Sequence, residues 1–160
     1  MSCDVAIAAY ILFASAPGAG AAPAQPIPAV AAAAPTPVGK DPFFMDIVAR
    51  AGGLKTQVEA YRTALGSSVT AIALNGFDDF TARIGQLSTL DQQGHVILAA
   101  RGTDGDLKCI LHGISQDLPL KLAAVVAAKT GHDQDLALRD MDYLLRDNVE
   151  VITAPPQPAA

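Results

Sequence analysis

The chain has 160 residues, 51% of them hydrophobic, only 5% aromatic and none of them tryptophan, with a net charge of −5. That length gives one domain of ordinary size, and a net acidic chain without a Lys/Arg run lacks the positive footprint needed to neutralise phosphates, which excludes nucleic-acid binding. With so few aromatics, the core must be built from Leu, Ile, Val and Ala, a composition that favours helices packed close together.

Residues 5–16 (VAIAAYILFASA) form an uncharged apolar run followed by the small residues Gly18 to Ala24. A short apolar run ending in an A-x-A-like site is the pattern of an export signal, whereas a bilayer span needs a longer one. The expectation is therefore a signal over 1–22 and a periplasmic or secreted domain, with at most transient membrane association through the leader. The leader is atypical: Met1-Ser2-Cys3-Asp4 carries an acid and no base. Residues 23–39 (PAQPIPAVAAAAPTPVG) read as a Pro/Ala-rich linker, since each proline removes a donor and restrains its neighbour. Residues 40–153 are expected to form the helical domain and 154–160 a disordered tail.

Within the domain, Asp41-Pro42 has the form of an N-cap followed by N1. Phe43, Phe44, Ile47 and Val48 follow at helical spacing, and Gly52-Gly53 is expected to stop that helix. Leu54, Val58, Tyr61 and Leu65 predict a second, with Gly66 as its C-cap. Residues 69–74 (VTAIAL) are ambiguous between a helix turn and a strand; helix is the preferred reading because the neighbours are helical. Phe77, Phe80, Ile84 and Leu87 mark another face, with Asn75 as its cap. Ser88 and Asp91 have a capping-box offset, predicting a restart that carries Val96, Ile97 and Ala100 to Gly102. Residues 103–106 (TDGD) cap a helix bearing Leu107, Ile110, Leu111 and Ile114. A break at Ser115 to Pro119 starts an alanine-rich helix ending at Gly131. Asp133 opens the last, with Ala137, Met141, Leu144 and Leu145 as its stripe, and residues 149–152 fray or extend. The fold class expected is all-α, a compact bundle of six to eight short helices behind the leader and linker.

Motif chemistry is sparse. An EF-hand loop starting at Asp104 fails, because Cys109 and Ser115 stand where its Gly and Glu must be. Cys109 and His112 share a helix face and could form half a metal site or an imidazole-activated thiol, but no further histidine lies at ligand spacing. Cleavage near Ala22 would remove Cys3 and leave Cys109, flanked by Leu107, Ile110 and Leu111, as a small core residue. The run His132 to Asp135 fits a helix start, where acids complement the dipole, better than an acid/base cluster. Nucleophile-elbow and phosphate-loop patterns are absent. No catalytic residue, metal ligand or cofactor is expected.

The densest apolar segment, 106–128, is either the core hairpin of the bundle or an open groove lined by Leu107, Ile110, Leu111, Ile114, Leu118 and Leu122. The expected function is non-enzymatic binding of a protein or peptide partner. A small-molecule or lipid carrier with an apolar cavity is the alternative, and a thiol enzyme using Cys109 and His112 the less favoured one.

Overall fold

The computed structural model describes residues 37–102 and 105–155. The expected export signal, most of the expected linker, the Thr103-Asp104 part of the expected cap and the end of the expected tail lie outside the described residues.

All-α is the observed class, but the six to eight short helices are four long ones: α1 (Pro42–Leu65), α2 (Phe77–Arg101), α3 (Gly105–Ala127) and α4 (Gly131–Thr153), preceded by a 3-10 turn at Val38–Lys40. A heptad explains the merging. Buried residues on α1 are Phe44, Ile47, Ala51, Leu54, Val58, Tyr61 and Leu65, alternating by three and four. The same alternation runs through Phe80, Ile84, Leu87, Asp91, Gly94 and Leu98 on α2, and through Gln134, Leu138, Met141, Leu145, Asn148 and Ile152 on α4. On α3 it links Leu107, Leu111, Ile114 and Leu118, with Val125 one heptad further on. Such stripes are the seams of a four-helix bundle.

Local stop signals are overridden wherever the stripe is continuous. Gly52 and Gly53 lie inside α1; each costs about 1 kcal/mol relative to alanine, less than the packing of the flanking heptads restores. Ser88 and Asp91 are mid-helix rather than a cap, and α3 runs through Pro119. That proline lacks the N–H that would bond the Ser115 carbonyl one turn back. Ser88 on α2 supplies the missing donor, its hydroxyl donating to Ser115 O at 2.7 Å.

Side-chain pairs show consecutive helices running antiparallel. Arg101 meets Asp41 at 2.6 Å and Arg83 meets Gln57 at 3.0 Å, joining α1 to α2. His95 meets Lys108 O at 2.8 Å between α2 and α3, and Lys121 meets Asp140 at 3.4 Å between α3 and α4. Arg62–Asp135 at 2.9 Å and Lys55–Asp142 at 3.9 Å close the ring between α4 and α1. Each helix thus packs on two neighbours, with α1 and α3 on a diagonal.

The segment 69–74 is not helical. Gln134 of α4 clamps it by accepting from Ile72 N at 2.9 Å and donating to Ile72 O at 3.0 Å. Gly131 N donates to Val69 O at 2.9 Å, and a β-bridge joins Thr70 to Thr130. Only glycine fits at 131, where a Cβ would stand 1.8 Å from Ser68 O. Helix starts shift accordingly. Gly76, at φ 68°, replaces Asn75 as the cap of α2, and Thr130 caps α4 by accepting from Asp133 N at 3.0 Å. Residues 149–152 neither fray nor extend, since α4 continues and Ile152 is fully buried. Val38, placed in the spacer by composition, is buried against the bundle.

Candidate functional site

Two features of α3 stand out: a polar seam facing α2 and an apolar face turned outward. The seam comes from residues one turn apart on each helix, Ser88, Gln92 and His95 on α2 against Lys108, His112, Ser115 and Gln116 on α3. The rings of His95 and His112 lie 4.8 Å apart and inclined by 34°. His95 Nδ1 bonds Lys108 O at 2.8 Å, which makes it the protonated nitrogen. His112 Nδ1 lies 2.9 Å from Gln92 Oε1, and its Nε2 lies 3.0 Å from Gln116 Nε2. Both nitrogens of His112 are therefore engaged by side-chain amides.

This arrangement lacks the parts of a catalytic dyad. Ser115 donates to the backbone carbonyl of His112 at 2.6 Å rather than to its ring, and Ser88 donates to Ser115 O. Cys109 is half-buried and disulfide-bonded, not a packed core thiol, and a disulfide sulfur offers no thiolate for His112 to activate. The chain's second cysteine lies outside the described residues. No group of three or more His, Cys, Asp or Glu side chains could hold a metal ion among the described residues. Sequence spacing missed the His95–His112 contact because the pairing is between helices; the antiparallel register of α2 and α3 creates it.

The run His132 to Asp135 is dispersed rather than convergent. His132 and Asp133 are exposed, Gln134 is buried as the loop clamp, and Asp135 pairs with Arg62. The Arg62 guanidinium holds the Asp135 carboxyl below its ordinary value, as Arg101 does for Asp41.

Of the six residues expected to line a groove, Leu107, Leu111, Ile114 and Leu118 are buried in the bundle core, while Ile110 and Leu122 are partly buried against it. They fill the interior. The outward side of α3 carries a different set: Gln116, Leu120, Ala123, Ala124 and Ala127 are exposed, with Pro119 and Val126 on the flank nearer α2. Leu120 is 65% exposed and Val126 62%. The segment Asp106–Ala127 is apolar and long enough to cross a membrane by length and composition, yet only 28% of its most apolar window is buried. Soluble core helices with this composition are mostly buried, so α3 holds apolar surface in excess of what the bundle covers.

Next to this surface lies a partly open cavity of about 250 Å³, lined by Ala71, Ile72, Leu74 and Phe77 from the connection and α2, and by Val125 and Val126 from α3. The Gln134 clamp that fixes Ile72 forms part of its wall. Nothing in the sequence pattern marked it, because the connection that lines it reads as helix. Compared with protein-family models, curated proteins and solved structures, the chain matches none.

Proposed function

We propose that this is a non-enzymatic, exported four-helix module that binds a protein partner through the outward face of α3. The observation that carries the reading is the uncovered apolar surface of Leu120, Ala123, Ala124, Val126 and Ala127 beside the cavity at Ile72 and Phe77. Small side chains let another backbone approach closely, and a pocket beside them takes a bulky anchor residue, the division of labour seen in helix-in-groove recognition. The occupant is an amphipathic helix of the partner, with one aromatic or branched side chain seated in the cavity.

A cavity of about 250 Å³ falls below the roughly 300–1,000 Å³ of sites that enclose drug-sized ligands. It suits a side chain better than a lipid or small-molecule cargo. Export is supported by the apolar leader of residues 5–16.

The test uses the full chain as bait in extracytoplasmic extract, followed by purification of the captured protein and rebinding to variants. Leu120→Asp and Val126→Asp should each weaken rebinding at least about tenfold, corresponding to about 1.4 kcal/mol, while melting temperature is kept. Met45→Asp, at an exposed apolar residue of α1, should bind like the wild type. Equal binding by all variants would overturn the assignment of the face. Leu111→Asp, in contrast, should abolish the helical circular-dichroism signal, since that side chain is fully buried.

A further inference from the structure

In the heptad stripes of α2 and α4, three positions are polar: Gln134, which clamps Ile72, and the facing pair Asp91 and Asn148. Asp91 and Asn148 are both fully buried, and Asn148 Nδ2 donates to Asp91 Oδ2 at 2.8 Å. That bond leaves one oxygen on each side chain, Asp91 Oδ1 and Asn148 Oδ1, buried without a hydrogen-bond partner. An ionised carboxylate and an amide oxygen are both acceptors only, so in that state neither can satisfy the other. A single proton resolves both, because a carboxylic acid donates through one oxygen while accepting through the other.

We infer that Asp91 and Asn148 form a neutral acid–amide pair in which the Asp91 carboxyl keeps its proton and donates it to Asn148 Oδ1, making the bundle core a switch that loosens as pH rises. Burial supports this, pushing the Asp91 carboxyl up to about 8 against the smaller opposing effect of the Asn148 bond. No charged side chain contributes to that rise. On α1, Asp46 and Arg50 pair with each other at the surface, and on α4 Arg146 pairs with Asp147 and Glu150. Asp117 of α3 is exposed. On the α2–α3 side, His95 and His112 are bonded to Lys108 O, Gln92 and Gln116 within the seam.

The direction follows from linkage. Below about pH 4 the carboxyl is protonated whether the chain is folded or not, so it gives no pH dependence. Between there and about pH 8 the unfolded chain loses the proton and the folded chain keeps it. The folding constant then falls about tenfold per pH unit. Above that range both states are ionised and the loss levels off.

The test compares urea unfolding of the wild type with that of Asp91→Asn, a neutral isostere, across the range from about pH 5 to about pH 9. Other titrating groups, Asp41 and Asp135 among them, are common to the two proteins and cancel in the ratio. The wild-type folding constant should fall relative to the variant's by about tenfold per unit and then plateau. A constant ratio, or one that rises with pH, overturns the inference. A second readout does not depend on the variant folding: carbon-13 NMR of the wild type labelled at aspartate carboxyls. One carboxyl should remain protonated at neutral pH. Finding every aspartate ionised there would equally overturn it.

Discussion

Replacing Ser88 with alanine removes the hydroxyl that serves the Ser115 carbonyl, 2.7 Å away, which Pro119 leaves without its helical donor. A buried carbonyl stripped of its donor costs about 1–3 kcal/mol. The site is half-buried, so water recovers part of that and about 1 kcal/mol is expected. Pro119→Ala restores the N–H, and the helix then satisfies Ser115 without help. In that background Ser88→Ala should cost less than about 0.5 kcal/mol, leaving a coupling of roughly 0.5–1 kcal/mol between residues on different helices. Pro119→Ala alone should stabilise the bundle, with about 3 kcal/mol as the ceiling set by proline's helix penalty. Urea unfolding followed by circular dichroism resolves these differences. With a slope of about 1–3 kcal/mol per molar urea, 1 kcal/mol moves the midpoint by roughly 0.3–1 M. Equal costs of Ser88→Ala in both backgrounds would refute the idea that Ser88 compensates for the proline.

Gly52 and Gly85 lie inside α1 and α2 with open space where a Cβ would go. Each change to alanine should raise stability by about 0.5–1 kcal/mol, seen as a higher urea midpoint; a lower midpoint would mean the glycines serve something other than the helix. Asp41 and Asp135 have carboxyls held low by Arg101 and Arg62. Their stabilisation is present above the ordinary carboxylate value and lost as pH falls through the folded one. Acid unfolding should therefore begin at higher pH in Arg101→Gln and Arg62→Gln, and unchanged acid midpoints would show that these partly exposed pairs contribute nothing.

Much of the fold was legible in the hydrophobic spacing, and the errors have a common physical origin. The stripes of Phe44 and Ile47, of Leu54, Val58, Tyr61 and Leu65, and of Phe80, Ile84 and Leu87 are visible in the spacing, and they are core. What failed was punctuation. Gly52-Gly53, the Ser88/Asp91 box and Pro119 are local signals worth about 1–3 kcal/mol each, and continuous heptads outweigh them. The same reasoning hid the chemistry. Asp91 reads as a cap residue in the sequence and Asn148 carries no signal, because a polar side chain in a stripe shows its burial only when the opposite helix is in place. His95 and His112 meet through helix register, which spacing along one helix cannot reveal. Of the residues expected to line a groove in 106–128, Leu107, Leu111, Ile114 and Leu118 point inward, whereas Leu120, one residue from the proline, faces out.

The most direct test of the binding proposal is site-specific photo-crosslinking in living cells, with the reactive residue at Ala123 on the outer face of α3 or at Thr56 on α1, the helix diagonal to it; both positions are exposed. The expected result is a crosslinked adduct of defined mass from position 123 that disappears when Leu120→Asp is added, with no such adduct from position 56. Equal adducts from both positions, or none from 123 in a folded protein, would contradict the proposal that this face of α3 holds a partner.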